Sequence, residues 1–150
     1  MAIDWKREDS PKDGASALTE DTPSRPFVFD VSEIPGRTNV EILGDTEETA
    51  PLLEVLGRDL VTRTLVQTPT LCVYHETAAP GARVAPHRHG THQVMYVLRG
   101  ALFFGAKRVG PGMGYFTPDK LYSWRAGEAG AEWIEIHSGL AGIFTDPGGA

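Results

Sequence analysis

Cysteine is almost missing from this chain: Cys72 stands alone among 150 residues. A single thiol forms no intramolecular disulfide and no cysteine-rich metal site, so the fold must rest on its core. No apolar run is long enough to span a bilayer, and Met1–Ser10 is charged rather than built like a secretion signal. A cytoplasmic protein with no membrane partner is the expectation. Basic clusters are absent as well. The net charge is −6, and residues 81–150 carry seven Lys/Arg against five Asp/Glu without any run or interleaved aromatics, so nucleic acid is excluded as a partner. Nucleophilic catalysis finds no support either: there is no G-x-S-x-G elbow, and Cys72 lies mid-strand.

What the chain has in quantity is punctuation. Seventeen glycines and eleven prolines separate short β-branched and aromatic runs, a texture that suits many strands joined by turns. Residues 1–25 are polar, too poor in apolar periodicity to repay the entropy of ordering, and read as a disordered or loosely docked arm that Ile3 and Trp5 can pin to a surface. From Pro26 the pattern becomes that of a globular unit. Strands are expected at Phe27–Phe29, Val40–Leu43, Leu60–Val66, Leu71–Glu76, Gln93–Leu98, Ala101–Phe104, Tyr115–Thr117, Tyr122–Trp124 and Trp133–His137. Asp45–Gly57 reads as one helical turn or a loop, and the Gly- and Pro-rich 141–150 as a flexible tail. One all-β barrel over residues 26–140 follows, able to enclose a single ligand.

One stretch carries chemistry: Gly81 to Gly100. Along an extended chain side chains alternate, so His87 and His89 point to one side, and Gln93 on the next strand can bring a third donor to them. That arrangement suits one divalent transition metal; neutral imidazole accepts Fe, Mn, Ni, Cu or Zn without choosing among them. The plainer reading is a pair of surface histidines on a turn.

These residues resemble the first signature of the cupin superfamily, G-x5-H-x-H-x3-E-x6-G. Gly81, His87, His89 and Gly100 fall on it, with Gln93 at the place of the usual glutamate. The second signature, G-x5-P-x-G-x2-H-x3-N, is matched by Gly112 and Pro118 but broken at Lys120 and Ser123, so the family's fourth metal ligand is missing. The resemblance spans about residues 60–137. It implies the double-stranded β-helix, a jelly-roll barrel, and frequent homodimers; cupins with Gln at the first-motif position are known, among them hydroxynitrile-lyase-like members.

Tyr122, next to the missing histidine, is a candidate acid–base group, since an un-ionised phenol is a poor ligand. His137 is a second candidate for the empty position, although its plainer reading is a strand-end histidine half in solvent. Met95 and Val97 share the face of Gln93 and are expected to line the pocket, with Phe104, Tyr115 and Trp124 making it apolar. The functional expectation is a metal-dependent enzyme on a small organic substrate, aromatic or dicarbonyl, dioxygenase-like. Gln93 and the lost histidine favour instead a lyase, isomerase or cyclase. A non-catalytic small-ligand-binding protein is the alternative of a different class.

Overall fold

The structure is a computed structural model and describes residues 25–148, so the arm expected at 1–25 lies outside the described residues but for Arg25. Its strands are β1 (Arg37–Thr38), β2 (Val61–Gln67), β3 (Cys72–Ala78), β4 (Arg83–His87), β5 (Gln93–Phe104), β6 (Lys107–Val109), β7 (Gly114–Thr117) and β8 (Tyr122–His137). All pair antiparallel in one sheet ordered β1-β2-β3-β8-β5-β6, with β4 also on β8 and β7 also on β5. The two long strands build the barrel. The second half of β8 lies between β3 and the first half of β5, while its first half lies between β4 and the second half of β5. Both strands therefore serve two layers, the jelly-roll arrangement expected from the sequence.

Turning that corner requires glycine. The β5–β8 register shifts at Val97/Arg99 and again at Gly100/Leu102, and Gly100 and Gly130 both take positive φ, 66° and 74°. A Cβ on Gly100 would sit 2.1 Å from the Gly130 carbonyl oxygen, and one on Gly130 would sit 2.5 Å from that of Ala78. Only a residue without a side chain lets the backbones approach so closely. The expected strand pairs Gln93–Leu98 with Ala101–Phe104, and Tyr122–Trp124 with Trp133–His137, are thus single strands bent at a glycine. Between the layers Met95, Val97, Leu102 and Trp133 are wholly buried, and Trp124 meets Trp133 edge to face at 5.1 Å.

Three expectations need correction. Val40–Leu43 belongs to an α-helix, α1 (Asn39–Leu43), not a strand. A capping box decides it: the Glu41 amide donates to Thr38 Oγ1 (3.2 Å), and the Thr38 amide donates to Glu41 Oε2 (2.7 Å). Two satisfied donors outweigh the β preference of Val40 and Ile42. Phe27–Phe29 forms no strand, pairs with none among the described residues, and is exposed. The tail is not loose throughout: Ala141 and Ile143 are buried, and Phe144 bridges back to Arg88. Their alternation turns both side chains inward while the backbone bonds to the loop after β4.

The ambiguous Asp45–Gly57 contains a second helix, α2 (Ala50–Leu56), with Pro51 in its first turn and Leu52, Leu53 and Leu56 buried. Buried Asn39 donates to the carbonyls of Leu56 and Gly57 (3.3 and 2.8 Å), joining the two helices over one side of the barrel. No helix among the described residues is long and apolar enough to cross a membrane.

Candidate metal centre

Strand ends converge at one end of the barrel. His87 closes β4 opposite Tyr122, the first residue of β8; Gln93 opens β5 opposite His137, the last. His89 follows in the β4–β5 loop. The structure thus brings together all five polar residues expected from the sequence, His87, His89, Gln93, Tyr122 and His137. It adds Glu135, which faces inward because it sits two residues before His137 on the same strand.

Glu135 is the hub. Its Oε1 accepts from Gln93 Nε2 (2.6 Å) and His137 Nε2 (2.9 Å), and its Oε2 accepts from the Trp133 indole (3.0 Å). The donor atoms of His89, Glu135 and His137 lie within 4.8 Å of one another. Burial opposes charge on Glu135, but the His137 and Trp133 hydrogen bonds and the nearby imidazoles hold its carboxyl below the usual range. It is the carboxylate that Gln93 fails to provide.

Hydrogen bonds set the imidazole tautomers. His87 Nδ1–H donates to the Ala85 carbonyl and His89 Nδ1–H to that of Gly142, both at 2.8 Å. Each Nε2 therefore turns a lone pair inward. Burial, chiefly, keeps both rings neutral; for His89, with His87 and His137 adding to it, the pKa falls to about 3. The Tyr122 hydroxyl lies 3.2 Å from His87 Nε2 and 2.9 Å from His89 Nε2. Burial and the charge of Glu135 keep this phenol protonated, so it has one proton for two lone pairs. The third ring, His137, accepts from or donates to Thr91 Oγ1 at 2.8 Å through Nδ1. It is 1% exposed, not half in solvent as a strand-end position suggests.

These donors fit a divalent transition metal. Gln93 Oε1 is buried without a hydrogen-bond partner, and one of the two inward imidazole lone pairs always lacks a proton. A cation answers both deficits, and imidazole with carboxylate and amide oxygen is a donor set that Fe, Mn, Ni and Zn accept.

Beside the centre runs a narrow cavity of about 60 Å³, walled by Ile42, Leu56, Val84 and Trp124 and also reached by Tyr74 and Glu76. Trp124 takes the place expected of it. Met95 and Val97 do face inward, but pack into the core and do not line this cavity. Phe104 and Tyr115 stack face to face, centroids 3.7 Å apart, beside a separate surface groove. The cavity lies on the β2–β3 side of the centre, so β5 and β7 supply support and not lining. His75 turns away from it and pairs with Glu132 at 2.9 Å, while its neighbour Tyr74 faces the cavity. Buried Glu76 accepts from Thr62 Oγ1 (2.8 Å); burial and the charge of Glu135 raise its pKa well above the carboxylate range, leaving it a neutral acid.

No family model and no curated protein sequence matches the chain. Solved structures do. An RmlC-like cupin from Shewanella frigidimarina is 17% identical, with 81% of this chain and 95% of that one aligned and a TM-score of 0.56. The polyketide cyclase RemF from Streptomyces resistomycificus is 15% identical, covering 75% and 79%, at 0.57. The DMSP lyase DddQ from Ruegeria pomeroyi is 16% identical, covering 79% and 64%, at 0.56. Likeness of this degree establishes the cupin jelly roll as the fold.

Proposed function

We propose that this cupin-fold chain is a metal-dependent enzyme acting on a small organic substrate by proton transfer, in the manner of a lyase, isomerase or cyclase. His87, His89, Glu135 and His137 would hold one divalent metal, with Gln93 Oε1 as a further oxygen donor. The bound ion would supply Lewis acidity toward a substrate oxygen. The observation that carries the reading is Tyr122: a buried, protonated phenol within 3.2 Å of two inward-facing imidazole nitrogens. Its Oη proton stands where a substrate oxygen at the centre would meet it, so the residue can donate a proton or stabilise developing negative charge. Glu76 offers a second neutral acid on the cavity wall, on the strand next to Glu135. Ile42, Leu56, Val84 and Trp124 add apolar wall beside these polar groups, a lining that suits a small organic substrate.

A polyketide cyclase and a DMSP lyase share this fold, which supports the reading. A second reading, a dioxygenase, is favoured by the His89–Glu135–His137 set, since two imidazoles and one carboxylate are the ligands of many oxygen-activating iron sites. The test is turnover of a panel of small diketones, phenols and hydroxy acids with Fe, Mn, Ni or Zn added, with and without oxygen. Product formed anaerobically supports the lyase-type reading. Turnover only with Fe(II) and stoichiometric oxygen uptake replaces it with the dioxygenase.

A further inference from the structure

Arg88 lies between His87 and His89 and, by alternation, points out of the barrel. It is nevertheless largely covered, its side chain 11% exposed. Its Nη1 donates to both oxygens of Asp119 (3.0 and 3.2 Å), Nη2 to Asp146 Oδ2 (2.8 Å), and Nε to the Asp146 carbonyl (2.9 Å). The guanidinium carbon lies 4.5 Å from the centre of the Phe144 ring. Asp119 also accepts from the Gly90 amide at 3.0 Å. One side chain thereby ties together the motif loop, the turn before β8 and the segment after it.

That last segment is part of the site. Arg88 and Phe144 exchange two backbone hydrogen bonds at 2.9 Å, and the Gly142 amide donates to the His89 carbonyl at 2.9 Å. In return Gly142 accepts the Nδ1–H of His89, while Ala141 and Ile143 line the cavity. Gly139 and Gly142 contribute no side chain to hold this run in place. Isolated surface ion pairs contribute little. A covered planar fork bound to two carboxylates and an aromatic face is a different case, and its geometry is one that lysine cannot reproduce.

We propose that Arg88 is a positioning residue for the metal centre: by clasping Asp119 and Asp146 it holds segment 140–146 as a strap that orients His89 through the Gly142 carbonyl and closes the cavity with Ala141 and Ile143. The orientation of His89 toward a metal rests on the function proposed above; the strap itself does not.

The test compares the full chain with its Arg88→Ala and Arg88→Lys variants, using Asp146→Asn if Arg88→Ala fails to fold. Amide hydrogen exchange at Gly142 and Phe144 reads the strap, the ¹⁵N resonance of His89 Nδ1 reads the ring, and a Co(II) titration followed by its visible spectrum reads the centre. The expected result is exchange at least about 10-fold faster, a shifted His89 resonance, and Co(II) affinity reduced about 10- to 100-fold, as for other groups that orient a ligand; lysine should not restore the spectrum. Unchanged exchange would overturn the clasp. Faster exchange with an unmoved His89 resonance would overturn the positioning role. If the parent chain takes up no Co(II), the metal reading fails, and the clasp is then judged on exchange and the His89 resonance alone.

Discussion

Replacing Glu135 by Ala in metal-free protein isolates the hub of the site. The carboxylate accepts three hydrogen bonds, from Gln93, His137 and Trp133, all buried. Leaving a buried donor unpaired costs about 1–3 kcal/mol, so three give an upper bound of about 9 kcal/mol. Two effects reduce it: water can enter from the adjoining cavity, and a buried charge is removed. Breaking one side of a buried charged cluster generally costs about 3–5 kcal/mol, and that is the expected loss here. Against a typical domain stability of about 5–15 kcal/mol the variant should still fold, with a clearly lower midpoint. Urea unfolding in chelator near neutral pH, analysed at constant m, measures this. Glu135→Gln should lose about half as much, because its carbonyl oxygen still accepts while its amide faces a donor. A loss below about 1 kcal/mol for the alanine variant would refute the reasoning, because the three donors would then have other partners.

Other outcomes follow from the same geometry. The folded-state pKa of His89, about 3, lies below its unfolded value, and that of His87 is also depressed, so the unfolded chain binds more protons as pH falls. Glu76, with its raised pKa, opposes this above its ordinary 4.5, so the metal-free protein should lose stability on acidification from about pH 4.5 toward 3, by up to ~1.4 kcal/mol per unit from His89; a urea midpoint that does not fall over that window contradicts it. Tyr122→Phe should reduce turnover about 10²- to 10⁴-fold while Co(II) uptake is kept, and loss of metal with the hydroxyl would make Tyr122 a ligand instead. Gly100→Ala must place a Cβ 2.1 Å from a carbonyl at φ 66°, so it should lower stability by at least about 2 kcal/mol or prevent folding, read from the thermal midpoint.

Much of the barrel was legible in the sequence because its signals are local. His87 and His89, two apart before an apolar strand, announce a shared face, and β5 keeps its alternation from Gln93 to Val97. The third donor set was not legible in the same way. Glu135 lies 42 residues beyond Gln93, and only the pairing of β5 with β8 brings them together. Alternation did place Trp133, Glu135 and His137 on one face, but choosing which face meets Gln93 requires the topology. α1 is a different case: Thr38 and Glu41 spell a capping box, a local signal that outweighs the β-branched Val40 and Ile42. Trp124 lines the cavity as alternation and fold suggest, whereas Met95, Val97, Phe104 and Tyr115 do not. Met95 and Val97 face the interior, yet the open space lies against β2 and β3.

The most direct measurement is the metal content of the full chain purified without chelator, beside a His87→Ala/His89→Ala variant of confirmed fold. Close to one divalent transition metal per parent chain, and none in the variant, is the expected result. A folded parent chain without metal, and unable to take up Fe, Mn, Ni or Zn, would contradict it.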